Sequence, residues 1–170
     1  MRFVRGKVRD RRILIPVGIR AFSDDPTATP NFTFHEFTAL LDTGASRTCV
    51  SQNVIDRVGL VGRGQIPVGN VKRTEMHETY LFYVGVWPST NDGALPAVFG
   101  IGDEIMGIDG GDSRFYDVLL GMDIVTRGAL KVGLDGSFRA WVPRLSRGFL
   151  DEFGEEAGLA AVQRERHHAL

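Results

Sequence analysis

The sequence predicts an all-β domain, on three observations. Glycine is abundant, at 21 of 170 residues, and phenylalanine stands at 11. That composition favours turns and strands over a helix bundle. Short segments alternate apolar and polar residues with a period of two, as at 32–38 (FTFHEFT) and 138–143 (FRAWVP). Clusters of turn formers, such as 23–31 (SDDPTATPN) and 135–137 (DGS), separate them.

The length suits one domain that buries its own core without staples. Twenty basic and 21 acidic residues leave a net charge of -1, which excludes a strongly electrostatic nucleic-acid binder as the default reading. The single cysteine, Cys49, excludes an intramolecular disulfide and a multi-cysteine zinc site. No run of 18 apolar residues exists, so no membrane partner is expected. The basic start (Arg2, Arg5, Lys7, Arg9, Arg11, Arg12) precedes a short apolar run interrupted by Pro16 and Gly18 and followed by Arg20. It reads as a first strand and not a signal peptide, with a cytoplasmic location as the expectation.

Each element has its own signal. Residues 13–22 read as an edge strand, because Pro16 cannot donate to a ladder. Residues 32–41 form a strand that ends at Asp42-Thr43-Gly44. Residues 48–50 are a short strand, and Ser51 caps a short helix from Gln52 to Val58 that Gly59 closes. Residues 59–69 are turns and short strand. A hairpin follows within 70–86, its second arm running from Glu78 to Val86. Residues 95–102 are an apolar strand. Residues 104–115 read as a glycine-rich, acidic loop, either disordered or edging a cleft. Residues 116–132 give a buried strand, Gly121, a short helix and another strand; residues 138–143 return from a hairpin turn at 135–137. The acids Asp151, Glu152, Glu155 and Glu156 precede Arg164 and Arg166, an order that suits a helix dipole. Gly154 and Gly158 oppose it. The tail is a marginal helix or disordered. The division expected is a basic extension at 1–11, the domain at 12–145 and a tail at 146–170.

The chemistry concentrates at Ala39-Leu40-Leu41-Asp42-Thr43-Gly44-Ala45-Ser46. An acid at the end of a buried strand is costly unless it is hydrogen-bonded or used. Gly44 can bring its amide to the carboxylate, and Thr43 can lock the turn. Alone, the motif is no more than an Asx-type turn. A second element, Leu119-Leu120-Gly121-Met122-Asp123, begins 77 residues after Asp42.

Together the two motifs resemble the retropepsin-like aspartic proteases, over roughly residues 12–143. The resemblance implies a single-domain acid-protease barrel with one short helix after the Leu-Leu-Gly-Met-Asp motif. It implies an aspartic endopeptidase without cofactor or metal, acting on a protein or peptide substrate. Such enzymes hold a water between two carboxylates that share one proton. One Asp-Thr-Gly supplies half a site, so a two-fold homodimer is expected, with Asp42, Thr43 and Gly44 of each chain at the centre. By the same resemblance Ala45 and Ser46 line the substrate. So do Gly69, Asn70 and Val71 of a flap hairpin over Pro67 to Tyr80, whose tip lacks the several glycines of the viral pattern. Leu119, Leu120, Gly121 and Asp123 are structural: Asp123 follows Gly-Met and not an Asp-Thr-Gly turn, and is expected to bond locally.

Other signals are weaker. His35-Glu36 and His77-Glu78 place neighbours on opposite strand faces and do not chelate. Cys49 lacks a nearby histidine and reads as a core thiol. Two alternatives compete. One is a catalytically inactive dimerisation or peptide-binding module on the same fold. The other is an unrelated small barrel with a chance motif, which would be a monomer.

Overall fold

The structure is a computed structural model that describes residues 2–24, 34–69, 73–86, 99–100 and 104–142. The elements, in order, are β1 (Arg2–Lys7), β2 (Leu14–Ala21), β3 (His35–Leu41), β4 (Cys49–Val50), α1 (Gln52–Val58), β5 (Gly62–Gly69) and β6 (Thr74–Val86). Then come β7 (Phe99–Gly100), β8 (Ile105–Asp109), β9 (Val118–Leu120), α2 (Met122–Val125), β10 (Ala129–Val132) and β11 (Ser137–Val142).

The main sheet runs β2-β3-β9-β4-β8-β6-β5, and β2 also pairs with β6, which closes the first six strands into a barrel. The expected edge strand is therefore an interior one. Pro16 is still accommodated by local logic. It lies opposite Thr38 of β3, while pairing with β6 begins only at Val17. The proline thus occupies the stretch of β2 that has one registered neighbour. Alternation supplies the core: Val17 and Ile19 from β2, Phe37 and Ala39 from β3, Phe82, Val84 and Val86 from β6, and Val118 and Leu120 from β9 are all buried. Complete burial of a side chain the size of Phe82 contributes about 2–3 kcal/mol.

The helix α1 follows its cap chemistry. The Ser51 side chain accepts from the Val54 amide, and Gly59 takes the left-handed conformation, φ 72°, at the other end. Val54 and Ile55 turn into the core. The hairpin turn between β10 and β11 is held by Asp135, whose Oδ1 accepts from the Ser137 amide at 3.0 Å and its hydroxyl at 2.7 Å. These bonds, with Lys7 beside the carboxylate, hold the Asp135 carboxyl well below its ordinary range.

Four expectations need correction. Ile105–Asp109 is a strand and not a loop: it runs antiparallel to β6 and parallel to β4, with Ile105 and Ile108 buried. Its glycine and its one acid, Asp109, hide this in the sequence, and both partner strands are remote. The second hairpin arm begins at Thr74 and not at Glu78. The β2 strand has two neighbours. Within the basic segment 1–11, β1 pairs along its length with β11 in a three-stranded sheet, β1-β11-β10. Val4 and Phe138 from that sheet join the core. Of the apolar stretch 95–102, only Phe99–Gly100 is described, as β7 paired with β6. The tail 146–170 lies outside the described residues.

Candidate active site

Asp42 stands where β3 leaves the barrel. Leu41 is in parallel register with Leu120, and the Asp42 amide donates to the Leu120 carbonyl at 3.0 Å. The chain then turns: the Gly44 amide donates to Asp42 Oδ1 at 2.8 Å, and the Ala45 amide to the Asp42 carbonyl at 3.4 Å. This is the short Asx-type turn that the Asp-x-Gly pattern permits. Asp42 and Ala45 are half-buried; Thr43, Gly44 and Ser46 are exposed. The carboxylate thus sits at a barrel end with one oxygen held by a backbone amide.

The second motif braces this loop from below. Asp123 Oδ2 accepts from the Thr48 amide at 2.9 Å, and Oδ1 from the Thr48 hydroxyl at 2.8 Å. The same hydroxyl oxygen accepts from the Gly121 amide at 3.2 Å. The Met122 amide donates to the Ala45 carbonyl at 2.8 Å. Thr48 is completely buried and Asp123 half-buried, so this network is partly shielded from water. Gly121 is required by close approach, since a Cβ there would lie 2.5 Å from the Arg47 carbonyl carbon and oxygen. Leu119 pairs with both Leu40 and Cys49, and Leu120 is fully buried. Both oxygens of Asp123 are committed to Thr48, so this carboxylate ties two loops together. Among the described residues, no second carboxylate is hydrogen-bonded to Asp42.

Cys49 follows the brace. Burial, reinforced by the negative charges of Asp123, Asp109 and Asp42, pushes its thiol up to about 11. A thiol held protonated at neutral pH is a poor nucleophile. Among the described residues, no group of three or more His, Cys, Asp or Glu side chains could hold a metal ion.

The hairpin of β5 and β6 brings Gly69 opposite Thr74 near its end. Asn70 and Val71, expected at the flap tip, lie outside the described residues. Sequence reasoning missed one feature of this hairpin. His77 Nδ1 lies 2.9 Å from Asp109 Oδ1 and 3.0 Å from the Asp109 carbonyl oxygen. The strand alternation that separates His77 from Glu78 gave no hint of a partner 32 residues away on β8.

No protein-family model matches the chain, and no curated protein matches it either. Solved structures do. The crystal structure of a retropepsin-like aspartic protease from Rickettsia conorii superposes with a TM-score of 0.50 at 14% identity, covering 81% of this chain and 89% of that one. The retroviral protease-like domain of Ddi1 from Leishmania major gives a TM-score of 0.37 at 16% identity, over 72% of this chain and 82% of that one. At 14% identity the Rickettsia likeness is one of fold, and with the closed barrel and the strand order above, this chain has the all-β fold of a retropepsin-like aspartic protease.

Proposed function

We propose that the chain is an aspartic endopeptidase that works as a homodimer, hydrolysing peptide bonds with a water held between Asp42 of one protomer and Asp42 of its partner. The observation that carries this reading is the placement of Asp42. It stands at a barrel end, partly accessible, with Oδ1 held by the Gly44 amide and the loop locked from below by the Asp123–Thr48 brace.

The chemistry follows from pairing two such carboxylates. Like charges at close range cannot both ionise, so the pair retains one proton and titrates as a unit. The ionised member takes a proton from the water as it attacks the scissile carbonyl. The protonated member donates to the carbonyl oxygen, and the tetrahedral intermediate collapses with proton transfer to the leaving nitrogen. In this reading the exposed Thr43 hydroxyls meet at the two-fold axis beneath the acids. Gly44, Ala45 and Ser46 border the substrate backbone, and the β5–β6 hairpin covers it, with Asn70 and Val71 at its tip. The retained proton predicts an acidic to weakly acidic optimum.

The test is a mixed peptide library incubated from pH 4 to 7 at several protein concentrations, beside Asp42→Ala. Cleavage by the native chain alone, with specific activity rising as concentration favours the dimer, is expected. Hydrolysis retained in Asp42→Ala would overturn the assignment. A stable dimer that cleaves nothing would leave the inactive peptide-binding module as the better reading.

A further inference from the structure

The β5–β6 hairpin has a built joint, and its parts are all on the described strands. From Thr79 to Phe82, β6 is paired with β8, and from Phe82 onward with β2. Before Thr79 its registered partner is β5. Thr74–Glu78 and Gln65–Gly69 therefore form a two-stranded arm that stands out from the barrel. A two-stranded ribbon is marginal by itself, so its direction depends on how its base is held.

The base carries a β-bulge. Gly62 pairs with Tyr80 and Gln65 with Glu78, so Arg63 and Gly64 together oppose the single residue Thr79. Gly64 has φ 113°, outside the range of ordinary side-chain-bearing residues. The bulge is clamped from both sides. The Gly64 amide donates to Glu78 Oε1 at 3.1 Å, and the buried Thr79 hydroxyl donates to the Gly64 carbonyl at 2.9 Å. The strand thus bends at Gly64 and Thr79, at the rung where β8 stops accompanying β6.

His77 lies two residues beyond that rung, on the same face as Thr79. Its Nδ1 reaches both acceptors of Asp109, the residue that ends β8. Because both partners are acceptors, Nδ1 carries the hydrogen. Asp109 is itself in register with Val50 of β4, the strand that leaves the Asp42 loop.

We infer that His77 is a positioning residue: its bonds to Asp109 continue the β6–β8 ladder by one side-chain rung and fix the angle at which the hairpin arm stands relative to the Asp42 loop. With the bonds made, the free arm begins beyond His77. Without them it begins at the glycine bulge, and the arm pivots there. The consequence for substrate rests on the proposed reading that this hairpin covers it; the mechanical claim does not.

Hydrogen–deuterium exchange on the full chain tests this, with His77→Ala and His77→Asn beside the native protein. Asparagine places an amide donor close to the Nδ1 position. Loss of a partly exposed charge-assisted bond predicts exchange about three- to tenfold faster for the arm amides of Gln65, Ile66, Val68, Gly69 and residues 74–76 in His77→Ala. The asparagine variant should exchange nearly at the native rate, and β3 and β9 amides should be unchanged in both. Nitrogen-15 spectra of the native chain should show the Nδ1–H tautomer for His77 in the neutral ring. Unchanged arm exchange in His77→Ala would overturn the inference. So would barrel amides that speed up equally, or an asparagine variant as fast as alanine. In the peptide assay, His77→Ala should raise KM with kcat within about twofold of native. If the native chain cleaves nothing, the proposed function fails while the exchange data still decide the hinge.

Discussion

Replacing Asp123 with alanine isolates the brace beneath the Asp42 loop. The substitution removes both acceptors of Thr48, at 2.9 Å and 2.8 Å. Thr48 is completely buried and Asp123 half-buried, so the unpaired groups of Thr48 stay largely out of reach of water. A buried amide left without an acceptor costs about 1–3 kcal/mol. The hydroxyl is better off, because its oxygen still accepts from the Gly121 amide and only its own proton is orphaned. The sum is about 3 kcal/mol for Asp123→Ala. Asp123→Asn keeps one acceptor for the Thr48 amide, turns its NH2 toward the hydroxyl oxygen, and should cost about 1 kcal/mol. For a domain of this size, 1 kcal/mol moves Tm by about 2–4 °C. Alanine should therefore lower Tm by about 6–12 °C and asparagine by about 2–4 °C. The assay is thermal unfolding followed by circular dichroism, at one fixed protein concentration so that any dimer contributes equally. Two variants equally destabilised, or an alanine variant within 1 kcal/mol of native, would refute the view that Asp123 acts by satisfying Thr48.

Two further substitutions probe the same crossing. Gly121→Ala places a Cβ 2.5 Å from the Arg47 carbonyl, a backbone contact that cannot swing aside; a loss of at least about 3 kcal/mol in urea unfolding is expected, and native stability would show that the two loops have room to part. Cys49 predicts an alkaline dependence. Its thiol stands at about 11 folded against an ordinary 9.0, so the folded state holds the proton more tightly and stability falls as pH rises between those values. The loss should not exceed about 3 kcal/mol and should vanish in Cys49→Ala; an identical alkaline loss in that variant would assign it to other groups.

Legibility in the sequence followed the distance over which each feature is held. Helix α1 was readable to the residue because Ser51 and Gly59 satisfy its ends locally. The hairpin turned by Asp135 and Gly136 was readable for the same reason, while the strand, glycine and short helix across Val118–Val125 were readable from an apolar run broken by Gly121, although β9 itself is held by β3 and β4. Strand β8 was not. Its ladder bonds go to β4 and β6, and its own residues, Ile105 to Asp109, lack a clean alternation. The interior position of β2 was hidden by Pro16, whose constraint is local, while closure against β6 is a property of the whole barrel.

The sequence by itself determined that Asp42 ends a strand in a tight Asp-Thr-Gly turn; the strand is half-buried, with Phe37 and Ala39 inward. Hydrophobic run, acid and glycine lie adjacent, and local backbone sterics and the Gly44 amide do the rest. It also determined the all-β class, through composition and turn chemistry. Only the tertiary structure decided that Asp123 spends both oxygens on Thr48, 75 residues away, and that His77 reaches Asp109 from the base of the hairpin. Such bonds depend on the order in which strands close the barrel. That order is set by burying many apolar side chains at once, a cooperative result that no short stretch of sequence carries.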